Sequence, residues 1–180
     1  MGKTFSVRAA VVLTVAIGAV LGVASVAAAA HEHHVIARVL VEDDCEQQSF
    51  DAAIGPHTCI GHGTTTFDHF IAQLIALKDA PAWRFDPSAL SLPTGGQIKA
   101  VSTGGEFHTF TEVAAFGGGC VAELNAILGL TPVPECGVPG IFGTTGLDPG
   151  ARLTTAPLAA GTHLFMCLIH PWMRTTATVG

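Results

Sequence analysis

Short apolar-alternating runs, cut apart by Gly and Pro, fill the chain from Trp83 to its end and commit most of it to β-structure. AWRFDPSALSLP, QIKAVST and EFHTFTEV come first, and ARLTTAPL, GTHLFMCLI and MRTTATV come after a Gly/Pro-rich stretch. A period of two puts successive side chains on opposite faces, and Asp-Pro and Thr-Gly-Gly supply the turns between runs. In EFHTFTEV, His108 and Phe110 fall on one face, Thr109 and Thr111 on the other. With the β-branched HVIARVLV (34–41), this predicts five to seven short strands, the pattern of a β-sandwich or Greek-key barrel. One helix of any length is predicted: TTTFDHFIAQLIALKDAP spaces Phe67, Phe70, Ile71, Leu74, Ile75 and Ala76 helically. Thr66 or Asp68 can cap it and Pro81 ends it. The excursion 114–150 breaks strand periodicity; VAELNAIL inside it reads as a short helix and the rest as loop.

The first thirty residues read as a secretory leader. Lys3 and Arg8 precede an unbroken small, apolar run ending in AAAA, and cleavage is expected after Ala30. Without residues 1–30, 150 of the 180 residues remain, one domain of ordinary size with a single core. No membrane span is expected once the leader is gone. Taking Lys3 and Arg8 from the eight cations leaves six against fourteen acids, a net charge of −8, which excludes a nucleic-acid binder. The expected location is periplasmic or secreted. Cleavage would also put His31 and His33 at a new N-terminus, where amine, amides and imidazole can chelate Cu(II).

Thiols of exported chains tend to pair. The five cysteines are Cys45, Cys59, Cys120, Cys136 and Cys167, so one is left over. Local pairing, Cys45 with Cys59 and Cys120 with Cys136, is the simplest framework and ties the 114–150 excursion down. Cys167 then remains as a thiol that is buried, reactive or metal-bound.

That odd cysteine opens the run CLIHPWM, with Cys167, His170 and Met173 each three positions from the next between two predicted strands. Thiolate, imidazole and thioether are a soft set that suits copper far better than calcium, magnesium or manganese, and zinc rarely takes a thioether. A fourth ligand should be an imidazole from a neighbouring strand. His108, in mid-strand after a Gly-Gly turn, is the best candidate. His163 lies four extended residues, about 13 Å, from Cys167 and cannot share its metal. Cys, two His and a weak axial Met make the type 1, or blue, copper donor set.

On these residues the chain resembles the cupredoxins. RFDPSALSLPTGGQIKAVSTGGEFHTFTEV and PGARLTTAPLAAGTHLFMCLIHPWMRTTATV carry the resemblance, and the Cys-x-x-His-x-x-Met spacing is similar to the short ligand loop of amicyanin-like members. The resemblance implies a mainly β, Greek-key sandwich holding one type 1 copper on His108, Cys167, His170 and Met173. Here it would carry one helix and a disulfide-tied insertion. Thr109 stands where many members have an asparagine that ties the ligand loops together; its backbone N–H can still face the thiolate. Residues 31–82 and 114–150 exceed a minimal member.

The resemblance further implies a carrier of single electrons, not an enzyme, that meets a redox protein partner transiently. His170, Pro171 and Trp172 would form the electron exit and docking corner, with Leu168 adding to an apolar patch. Capture or delivery of copper without redox shuttling is the alternative. A component of a copper oxidoreductase ranks behind both, because a complete Cys-His-His-Met set has no open position for substrate.

Overall fold

The alternating runs form ten strands among the described residues of a computed structural model, which describes residues 1–2 and 35–180. The leader and the two N-terminal histidines lie outside the described residues. Met1–Glu32 and His33–Gly180 form separate units, and every described strand and helix belongs to the second. No described helix is long and apolar enough to cross a membrane.

Two four-stranded sheets make the body of this unit. One has the order β2 (Arg84–Asp86), β1 (Ile36–Glu42), β4 (Gln97–Ser102), β8 (Arg152–Thr154). The other runs β3 (Ala89–Leu92), β10 (Arg174–Val179), β9 (Gly161–Met166), β6 (Thr111–Val113). Pairing is antiparallel except β1 with β4 and β3 with β10, which are parallel. The chain passes repeatedly from one sheet to the other, as a Greek-key sandwich requires and a meander does not. Val39, Val41, Ile98 and Ala100 from the first sheet and Leu92, Phe165, Ala177 and Val179 from the second fill one core. The expected mainly β sandwich is therefore the fold. β1 lies second in its sheet, so the segment 31–82 contributes a central strand as well as helices.

The run EFHTFTEV does not stay a single strand. It breaks at Phe110 into β5 (His108–Thr109), paired with β7 (Gly146–Leu147), and β6, paired with β9. His108, Thr109, Phe110 and Thr111 are all buried, because the insertion covers the face that a simple alternation would leave to solvent. Phe110 stacks on Phe165 with ring centroids 4.6 Å apart.

Where one helix of any length and one short helix were expected, four α-helices stand among the described residues. α2 (Phe67–Leu77) is the predicted one, with Thr66 at its N-cap. It ends at Lys78 in the left-handed region, before Pro81 is reached. α3 (Ala122–Leu128) matches the VAELNAIL reading, and α4 (Ile141–Thr145) is a single turn of the insertion. α1 (Gln47–Ala53) occupies a stretch read as loop; only Phe50 is buried in it, so it shows no apolar periodicity. The Glu46 carboxylate caps it by accepting from Ser49 N at 2.7 Å and Gln48 N at 3.1 Å. Cys45 is bonded to Cys59 and Cys120 to Cys136, leaving Cys167 free and buried.

α1 and α2 dock through an aromatic cluster. Phe70 lies 4.6 Å from Trp83, and Phe50 packs on Phe67, Phe70 and Trp83. Leu74, on the same face of α2, is fully buried. Leu74→Ala should lower unfolding stability by about 2–5 kcal/mol, read as a lower urea midpoint at unchanged slope.

Candidate metal centre

The β9–β10 hairpin builds one side of the site. Met166 of β9 pairs with Arg174 of β10, and the seven residues between them close on themselves. Cys167 N donates to Met173 O at 3.1 Å, and Met173 N donates to His170 O at 2.9 Å. A loop this tight, with Pro171 in it, turns the Cys167 and His170 side chains to one point. β5 supplies the other side with His108.

Three ligand atoms converge there. Cys167 Sγ lies 3.9 Å from His108 Nδ1 and 3.8 Å from His170 Nδ1, and the two Nδ1 atoms are 3.2 Å apart. All three residues are buried. The centre of a triangle with these edges is about 2.1 Å from each corner, within reach of the ~2.0–2.1 Å and ~2.3 Å that imidazole nitrogen and thiolate sulfur take at zinc. The donor set and its spacing therefore fit a soft metal ion. Met173 closes the same loop, is fully buried, and belongs to the same core cluster as Cys167. His163 is elsewhere: its ring is held by Glu112 Oε1 at 2.6 Å and by the Ala159 carbonyl at 2.9 Å.

The surroundings of the thiol favour its anionic form. Burial pushes the Cys167 thiol up, but the His108 and His170 imidazoles outweigh it and hold the thiol well below its ordinary value. Two backbone N–H groups also point at the sulfur, from Thr109 at 3.4 Å and His170 at 3.5 Å. Thr109 does more than its backbone offers, because its hydroxyl accepts from Leu168 N at 2.8 Å. It thus ties the β5 strand to the ligand loop. From behind the loop, Gly119 presses against Leu168, where a Cβ would stand 2.3 Å from the carbonyl oxygen. The Cys120–Cys136 insertion therefore buttresses CLIHPWM directly.

Two buried carboxylates escaped the sequence reading. Asp43, just after β1, places Oδ2 2.8 Å from His108 Nε2 and also accepts from Glu106 N at 3.1 Å. Its Oδ1 accepts from Gly105 N at 2.9 Å and Cys45 N at 3.2 Å. The Gly-Gly turn before His108 exists for this approach: a Cβ on Gly104 would fall 1.8 Å from Asp43 Oδ2. With Nε2–H donated to Asp43, the neutral ring keeps a lone pair on Nδ1, aimed at the site. Glu106 accepts from Trp83 Nε1 and stands 3.9 Å from His170 Nε2. Burial raises the Glu106 carboxyl above its usual range, only partly offset by His170 and Trp83. Asp43 is tied to His108 by no sequence spacing, since 65 residues separate them; Glu106 is two positions away but carries no motif.

In the metal-free protein the Asp43–His108 pair sets a pH window. Burial raises Asp43, but His108 and the Gly105 and Glu106 N–H groups lower it from 3.8 to about 2. Burial lowers His108, but Asp43 and Cys167 raise it from 6.5 to about 10. The carboxylate's contribution is full above its unfolded value and is lost as pH falls from about 4 towards 2. The imidazole's is full below 6.5 and is lost as pH rises towards 10. The acid limb should remove about 2 kcal/mol of unfolding free energy, and Asp43→Asn should flatten that part of a stability-against-pH curve.

The expected exit corner is corrected. His170 is 3% exposed, Leu168 and Pro171 are buried, and Trp172 is half-buried, so His170, Pro171 and Trp172 do not form an exposed patch. The reason is α2, whose Phe70 meets the His170 ring edge-on at 6.3 Å and lies 5.8 Å from Trp172. The helix-bearing segment roofs the ligand loop.

No family model matches the chain, and no curated protein matches it. Among solved structures it resembles the cupredoxins. A purple cupredoxin from Nitrosopumilus maritimus is 14% identical over 80% of this chain and 99% of that one, with a TM-score of 0.44. The oxidised plastocyanin of Dryopteris crassirhizoma is 14% identical over 80% and 100%, with a TM-score of 0.38. A Cu(I) amicyanin variant is 16% identical over 54% and 73%, with a TM-score of 0.35. At these identities the likenesses concern the fold alone.

Proposed function

We propose that this chain is an exported mononuclear type 1 copper protein that carries single electrons between redox partners. The observation that carries the reading is the buried triangle of Cys167 Sγ, His108 Nδ1 and His170 Nδ1. Copper held there would supply reversible one-electron exchange. His108, Cys167 and His170 would hold it, with Met173 as a weak fourth ligand. The chain's own work is to keep the donors fixed. Asp43 sets the His108 tautomer, Thr109 locks the two ligand loops together, and Phe70 and Trp172 pack against the His170 ring. A site that is already closed and packed changes little when its charge changes by one, which is what electron transfer needs.

Two disulfides within one domain support export. The partner is proposed as a redox protein that docks transiently over α2 and the half-buried Trp172, whose ring lies 5.4 Å from that of His170. Voltammetry of the copper-loaded protein tests the reading. One reversible one-electron wave is expected, and Met173→Leu should keep the colour and raise the potential. Tight, colourless Cu(I) binding with no reversible wave would instead establish capture or delivery of copper.

A further inference from the structure

The roof over His170 is not solid. A crevice of about 610 Å³ enters between α1–α2 and α3, within the ~300–1,000 Å³ common for small-molecule sites. Its walls are apolar: Phe50, Phe67, Phe70 and Ile71 on one side, Leu124 and Ile127 on the other. Ile54 at 58% exposure marks its open rim, and His170 and Glu106 at 3% and 5% are among its most buried lining groups. Trp83 Nε1 engages Glu106 Oε2. Among the described residues none hydrogen-bonds to the other oxygen, Oε1, although the side chain lines the crevice. An apolar slot with one buried, half-partnered carboxylate at its inner end is the arrangement that orients a ligand by a single polar head.

We propose that this crevice binds a small, neutral aromatic alcohol, of the alkylphenol class, with its hydroxyl on Glu106 beside His170 and its ring and alkyl body between α2 and α3. A hydroxyl both donates and accepts, so it satisfies the carboxyl whichever form that group takes. An anionic head would meet the Glu106 carboxylate. A cationic head would meet the metal ion proposed on His170; only this last exclusion rests on the copper reading.

Metal-free protein suffices for the test, so its outcome is separate from that of the copper assignment. The chain has two tryptophans, and an ¹⁵N-labelled sample therefore gives two indole N–H signals, assigned with Trp172→Phe. Titration with 4-propylphenol should move the Trp83 indole signal saturably, because Trp83 donates to the group the ligand engages. 4-Propylanisole, with no hydroxyl to donate, should bind about tenfold more weakly, the worth of one hydrogen bond. Glu106→Gln should remove that difference, since the amide can donate to either oxygen. Leu124→Trp, at a half-buried wall position, should abolish binding of both and leave the fold intact by its unchanged methyl spectrum. An unmoved Trp83 signal overturns the proposal. So does equal affinity for phenol and anisole, which would mark a plain apolar slot for a partner's side chain.

Discussion

Cys167→Ser should remove the intense visible absorption of the copper-loaded protein completely. The band arises from charge transfer out of a thiolate, and Cys167 is the one free cysteine among the described residues, with the other four in disulfides. A serine hydroxyl is not an anion at neutral pH and is a hard donor, so neither the soft bond nor its colour survives. Fold should be retained. The serine oxygen can still accept from Thr109 N and His170 N, which now reach the sulfur at 3.4 and 3.5 Å. Circular dichroism of the variant should match the parent while its visible spectrum is blank. Colour that persists would place the thiolate–metal bond elsewhere.

Asp43→Asn is the second large effect, and it works through a proton. The carboxylate accepts four N–H donors, two on each oxygen. An amide has one acceptor oxygen, so its NH₂ must face two of those donors. If it faces Cys45 N and Gly105 N, two buried backbone donors are orphaned. If it faces Glu106 N and His108, one is orphaned and the imidazole can answer by moving its proton to Nδ1. The second arrangement leaves fewer buried groups unpaired and puts a hydrogen where the metal lone pair should be. Metal affinity should fall by about 10–100-fold, and stability by about 1–3 kcal/mol for the orphaned donor. Followed with pH in the metal-free proteins, the ring's ¹⁵N shifts should show the parent ring losing its second proton near pH 10 and keeping the one on Nε2, and the variant ring losing it at lower pH and keeping the one on Nδ1. A merely structural loss would lower stability without that tautomer change.

Much of the sandwich is legible along the chain because period-two runs and Gly/Pro turns are local signals. CLIHPWM is legible for the same reason: three donors on one tight turn declare their convergence by spacing alone. His108 is a step harder, since its placement depends on which strands become neighbours, and the Gly-Gly turn was the usable clue. Asp43 and Glu106 are harder again. Each acts across a tertiary contact, Asp43 at 65 residues' separation, and acidic residues in loops are ordinarily solvated. The burial of His170 could not be read from its turn, because the turn is hidden by helices from another part of the chain. α2 shows an apolar stripe in the sequence, but nothing in that stripe says which surface it covers. α1 hides because one buried phenylalanine makes no pattern.

The most direct measurement is titration of metal-free protein with Cu(II), monitored together by visible absorption and electron paramagnetic resonance. One equivalent should bring up an intense thiolate-to-copper band and narrow hyperfine splitting, both saturating at a single copper per chain. A spectrum with wide hyperfine splitting and no thiolate band, in protein whose two disulfides are intact, would contradict a copper centre on His108, Cys167 and His170.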